Sequence, residues 1–223
     1  MKLIPAIDLM GGAVVQAQGG IRQKYRPLHT KLFPNACAVK VIQTLLKLLD
    51  IDIIYLADLD AINKQGNHHN LILDLCKQFP QIEFWLDAGV SNYAQFTSLQ
   101  TPQSVVRVVG TETLKEDLHR FAEKHYILSL DFKNGQLVGH NVLTQIRYWP
   151  SRIIALCLDR IGSHRGVDIA CLKQLRSCYQ GEIYAGGGIR NQNDLNTLSE
   201  IGTSGAITAN AIYNGILVSK KYF

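Results

Sequence analysis

At 223 residues with 47% hydrophobic content, the chain is long enough for one large enclosed core, and its 18% charged residues fall below the usual level of about a quarter. The net charge of +5 comes without any run of Lys or Arg, which argues against a nucleic-acid partner and leaves a general attraction for anions. Five cysteines without C-x-x-C spacing, no signal-peptide profile at Met1–Pro5 and no apolar run of about 18 residues predict reduced thiols in a soluble, cytoplasmic protein with no membrane partner.

In chain order, short aliphatic and β-branched runs predict strands at Lys2–Ile7, Ile51–Ala57, Ile82–Leu86, Ser104–Val109, Tyr126–Leu130, Arg152–Leu158, Glu182–Ala185 and Gly205–Thr208. Between them lie predicted helices at Ala36–Leu49, Asn70–Gln78, Tyr93–Leu99, Leu114–Lys124, His140–Tyr148, Asp168–Cys178, Asn193–Glu200 and Asn210–Asn214. Val39, Ile42, Leu45, Leu46 and Leu49 give the first helix its apolar spacing. Strict strand–helix alternation implies a parallel sheet, and eight units close into a (β/α)8 barrel more readily than they form an open doubly wound sheet. Val14–Ala17 reads as a small extra strand leading into a Gly-rich, basic loop, Gly19–Pro27, and a hairpin turning at Asn134-Gly135 follows the fifth strand.

The chain also repeats itself. Asp60 and Asp159, Gly89 and Gly188, and Gly110 and Ala209 share one spacing, and Leu86–Leu99 lies over Ala185–Leu198 without a gap, matching Asn92 to Asn191. Two duplicated half-barrels, about 1–124 and 125–223, are therefore expected within a single domain of 1–223.

Asp8 ends the first predicted strand and Asp131 the fifth. In a closed eight-strand barrel these strands face each other, so two carboxylates would meet across the mouth, one to take a proton and one to give it. Strand, Gly186-Gly187-Gly188 and helix in succession form a phosphate cradle from Gly187, Gly188 and Arg190, completed by Ala209 and Asn210 after strand eight. The matching first-half cradle is Gly89, Ser91, Gly110 and Thr111, but Asp87 stands where the second half has Gly186, and an acid there should repel phosphate. Arg22 and Arg26 are candidate anion clamps on the loop after strand one, as is Arg165 on a later loop. Asp58, Asp60 and Asp159 either orient the substrate or, with Ser163, support the loops. His68-His69 invites a metal reading, yet adjacent helical histidines point apart and have no matching ligand set, so no metal is expected.

The segments MKLIPAIDLMGGAVV, YLADLDAI, VVGTETL, ILSLD and AGGGIRNQNDL resemble the HisA/HisF family of histidine biosynthesis over nearly the whole chain, and the isomerase side more than the cyclase. The resemblance implies a general base at Asp8, a general acid at Asp131, and an Amadori rearrangement of a phosphorylated aminoaldose to an aminoketose. It implies no cofactor, and a barrel acting as a monomer or small homo-oligomer is expected. Departures accompany it: the first-half glycine cluster is Asp87-Ala88-Gly89-Val90-Ser91, the Thr on strand six falls at Leu156, an Asp falls at Ile161, and the Gly-Lys/Arg pair after strand eight is Ala209-Asn210. GGIRQKYRPL, ADLDAI and LDRIGSHRG are similar to a branch in methylotrophs and methanogens associated with one-carbon cofactors such as methanopterin and methanofuran. The alternatives are thus the histidine-pathway isomerase, a paralogue in that one-carbon setting, and a non-catalytic barrel that binds a phosphorylated ligand.

Overall fold

Eight parallel strands form over Lys2–Met10, Ile53–Asp58, Glu83–Asp87, Val105–Gly110, Ile127–Lys133, Arg152–Cys157, Glu182–Gly186 and Gly205–Thr208, taken below as the first to eighth strands. Each pairs with its neighbour in sequence, and the eighth returns to the first from Lys2 opposite Gly205 to Pro5 opposite Thr208, closing the barrel. The (β/α)8 expectation describes this fold. The computed structural model describes residues 1–218, so the last five residues of the expected 1–223 domain lie outside the described part.

Side chains alternate across each strand, and that alternation builds two apolar cores. Ile4, Tyr55, Trp85, Val108, Ile154 and Tyr184 belong to the set that fills the barrel. Ile7, Leu56, Phe84, Leu128, Ile153 and Ile183 pack outward with the surrounding helices. Those helices are α1 (Ala38–Leu48), α2 (Leu59–Ile62), α3 (His69–Gln78), α4 (Tyr93–Ser98), α5 (Ile169–Cys178), α6 (Gln192–Ile201) and α7 (Asn210–Tyr213). In α1 the buried stripe is Ala38, Val41, Ile42, Leu45 and Leu48, so Val39, Leu46 and Leu49 lie at its edges rather than its centre. Asn92 and Asn191 each cap their helix, accepting from the amides of Gln95 and Asp194.

Two expected helices are absent. The segments at Leu114–Lys124 and His140–Tyr148 form only 3-10 turns, Leu118–Phe121 and Leu143–Tyr148. Their polar groups answer each other instead of closing helical turns. The Gln145 side chain accepts from the Leu118 amide at 2.7 Å and donates to Asp117 at 2.7 Å, and Gln145 itself leaves helical geometry. Leu118, Phe121, Val142 and Trp149 are still buried, so packing survives where regular structure does not.

The expected extra strand is Ala13–Gln16, antiparallel to the first strand and to a short piece at Arg26–Pro27. The Asn134-Gly135 hairpin pairs Phe132 with Leu137, and both turn residues have positive φ. The first and fifth strands run on to Met10 and Lys133, two residues past Asp8 and Asp131, because each continues into its hairpin. Among the described residues no helix is long and apolar enough to cross a membrane.

Candidate active site

Odd-numbered strands of such a barrel contribute side chains to common interior layers. Counting in twos from the buried interior positions, the layer nearest the C-terminal mouth receives Asp8, Asp87, Asp131 and Gly186 from strands one, three, five and seven. Three of the four places are carboxylates. The fourth is filled by Leu156, whose Cδ1 would lie 2.7 Å from a Cβ on Gly186. The three acids form part of the wall of a cavity of about 850 Å³ that opens at this end.

Each acid is held differently. Asp131 is 3% exposed and accepts from Ser129 Oγ at 2.6 Å, the Glu112 amide at 2.8 Å and Thr111 Oγ1 at 3.5 Å. Asp87 is 8% exposed and accepts from the Gly89 amide at 3.0 Å and the Tyr55 hydroxyl at 3.3 Å. Asp8 accepts from no donor among the described residues. Gly110 lets Asp131 and Asp87 approach one another, since a Cβ there would lie 3.0 Å from one carboxylate and 3.5 Å from the other.

Burial pushes the Asp8 carboxyl up to about 7; the Arg22 guanidinium pulls it down and Asp87 pushes it up. Burial likewise pushes Asp131 up to about 7, aided by Asp87 and opposed by Ser129 and the Glu112 amide. Asp87 reaches about 6, mainly by burial, with the Gly89 amide pulling it down. At neutral pH the layer therefore holds both protons and vacant proton sites.

This arrangement has a measurable cost in stability. A carboxyl raised in the folded state favours folding fully below its unfolded value of 3.8, and that contribution is lost as pH rises through about 7. Asp8→Asn is thus expected to gain stability over the parent as pH rises, on the order of 1–3 kcal/mol more at pH 8 than at pH 4. Thermal unfolding across that range checks it, and a constant difference between the two proteins would count against a proton held by Asp8.

The loop after the first strand roofs the mouth. Asn210 Nδ2 donates to the Ala17 carbonyl at 3.2 Å, and Gly20 packs so closely on the Leu158 carbonyl that a Cβ would collide. Arg22 reaches Glu112 at 2.6 Å and Asn63 at 2.9 Å, so this expected clamp is engaged within the protein, tying the loop to two others. Arg26 donates to the Gln23 and Tyr25 carbonyls and also lines the cavity.

The supporting acids divide. Asp58 caps α2 and accepts from the amide and Nδ1 of His68, while His68 Nε2 accepts from the Gly12 amide at 2.9 Å. Asp60 accepts from the Gly11 amide at 3.0 Å. Both therefore pin the Gly11-Gly12 turn and lie off the cavity wall, as does Ser163, which donates to the Arg160 carbonyl. Asp159 lines the cavity and pairs with Arg165 at 2.5 Å. Among the described residues no group of three or more His, Cys, Asp or Glu is arranged to hold a metal ion.

The two matched cradles differ sharply. Gly187, Gly188, Arg190, Ala209 and Asn210 all line the cavity. No side chain among the described residues accepts from the Gly187, Gly188 or Asn210 amides, whereas the Arg190 amide and guanidinium both bond to Asp194. The first-half set, Gly89, Ser91, Gly110 and Thr111, lies off the cavity wall. Here the chain fills its own cradle: the Gly89 amide donates to Asp87, the Ser91 amide and hydroxyl to Gln95, and the Tyr93 amide to Glu116. Thr111 holds Asp131, donating weakly to its carboxylate and accepting from its amide at 2.9 Å. The structure thus places these four residues off the cavity wall.

Residues 2–218 match the family described as "Histidine biosynthesis protein". The chain belongs to that family. Similar to this chain is an uncharacterized protein of Methanocaldococcus jannaschii, 32% identical over 225 residues, covering 97% of this chain and 95% of that one. A 1-(5-phosphoribosyl)-5-((5-phosphoribosylamino)methylideneamino)imidazole-4-carboxamide isomerase of Deinococcus radiodurans is 26% identical over 236 residues, covering 97% of this chain and 95% of that one. The M. jannaschii protein bearing that same isomerase name is 24% identical over 239 residues, covering 99% of this chain and 97% of that one.

Proposed function

We propose that this barrel is an acid–base isomerase of a phosphorylated, sugar-like substrate, gripped by one phosphate at Gly187, Gly188 and Asn210. The observation that carries this reading is the contrast between the two cradles: one lines the cavity with amides that no side chain among the described residues occupies, and the other lies off the cavity wall and is filled by the chain itself. In the proposed rearrangement, Asp131 protonates the sugar ring oxygen and opens the ring. Asp8 then removes the C2 proton, giving an enol that collapses to the ketose. Asp8 suits the base because no donor among the described residues occupies its lone pairs, and both carboxyls titrate near the working pH. Placing three acids in an otherwise apolar barrel costs stability, which supports a chemical role over a passive binding barrel.

The substrate named for the isomerase relatives carries two phosphoribosyl groups. One open cradle suits a different, singly gripped substrate. M. jannaschii has both an isomerase of that name and a second protein more similar to this chain, which further supports a paralogous role. The setting proposed for that role is the one-carbon-cofactor branch. The test is rescue of a histidine auxotroph that lacks the isomerase. No growth is expected, with turnover of the purified bisphosphate at least about a hundredfold below that of the authentic enzyme, since a lost grip misplaces the reacting carbon. Robust growth that disappears with Asp8→Asn and Asp131→Asn would establish the histidine-pathway reaction instead.

A further inference from the structure

Arg22 is the guanidinium beside Asp8 and Asp87, and it is already paired with Glu112; Arg26 and Lys133 also line the cavity but make no ion pair with Asp8, Asp87 or Asp131. The Asp8 carboxylate on the same wall accepts from no donor among the described residues, and a carboxylate set in an apolar wall without a donor costs free energy that a ligand donor can recover. Asp87 itself accepts one bond on each oxygen, from Gly89 and Tyr55, and a carboxylate has lone pairs for more. The acids are not arranged as a metal-holding group, so they suit an extended organic cation better than a point ion.

We infer that Asp87 receives a basic nitrogen of the substrate, so that the cavity takes a ligand with a phosphate at one end and an ammonium group at the other. This rests on the single-phosphate reading above. Asp87 then acts as the specificity group: it closes the Gly89 amide to a second phosphate and offers a buried anion in its place. Leu156, filling the fourth place of the acid layer, leaves the cation no competing anion on that side.

Calorimetric titration with alkyl phosphates and ω-aminoalkyl phosphates, matched in length from two to six carbons, tests this at pH 7.5. At the best length the amine should bind about tenfold or more tightly than its methyl-ended partner. In Asp87→Asn, which keeps hydrogen-bonding capacity toward Gly89 and Tyr55, the advantage should fall to within about twofold. The parent protein supplies a second readout. Tyr55, Glu112, Asp8, Asp131 and Arg22 face Asp87, and once the carboxyls are protonated at pH 5 the advantage should shrink there too. Equal binding of amine and methyl partners at every length, or an advantage that survives Asp87→Asn, overturns the inference while the phosphate reading stands. If no alkyl phosphate binds, the phosphate reading fails and takes this inference with it.

Discussion

Asp131→Asn and Asp8→Asn should each slow turnover of any phosphorylated sugar the parent protein converts by about 10²–10⁴-fold, the range supplied by one positioned proton-transfer group. An amide cannot exchange the proton, yet it matches the carboxyl in shape. Asp131→Asn also keeps Ser129, Thr111 and the Glu112 amide within reach. The loss should therefore fall on kcat with KM nearly unchanged. Deuterium entering from heavy water at C1 of the ketose, or at C2 of the recovered aldose through the reverse reaction, followed by NMR, reads the enol-forming base step. It should vanish in Asp8→Asn, and a variant within about tenfold of the parent would remove that residue from the proton path.

Gly188→Ala and Gly89→Ala form the second large effect, with a built-in comparison. Both glycines have positive φ, +87° and +67°, where an alanine is strained by about 1–3 kcal/mol. Both also abut backbone: a Cβ at 188 would collide with the Gly166 carbonyl, and one at 89 would lie 2.7 Å from Ile62 Cα. Each variant should unfold at lower temperature. Only Gly188→Ala should also lose phosphate affinity, by about tenfold or more, because Gly188 lines the cavity and no side chain among the described residues accepts from its amide, whereas the Gly89 amide donates to Asp87. Equal loss of phosphate binding in both variants would contradict the one-cradle site.

The eight strands were legible because aliphatic runs and turn residues coincide along the sequence, and Gly205–Thr208 even has its predicted bounds. The 3-10 segments were not. Their helical periodicity is real, but the Gln145 side chain accepts from the Leu118 amide and donates to Asp117, both distant in sequence, and no local pattern records that. At the mouth, Asp8 and Asp131 were visible as lone acids in apolar strands. Ser129 carried the same signal, a hydroxyl two residues before Asp131 and hence on the same face, and was passed over. Tyr55 looks like any barrel aromatic until its hydroxyl is seen to reach Asp87. At Gly89 the matched sequence carries the backbone shape but not the identity of what its amide meets, which here is Asp87.

The pairing of Lys2–Pro5 with Gly205–Thr208 has a consequence during synthesis. One edge of the first strand waits for a partner that emerges some two hundred residues later, roughly 10–40 s at ordinary elongation rates of about 5–20 residues per second. Asp8 sits on the same strand, and the low-dielectric surroundings that raise its pKa include the last strand and its loops. A nascent chain therefore carries an ordinary, ionised aspartate at position 8, and the proton-holding residue comes into being only when the ring of strands shuts.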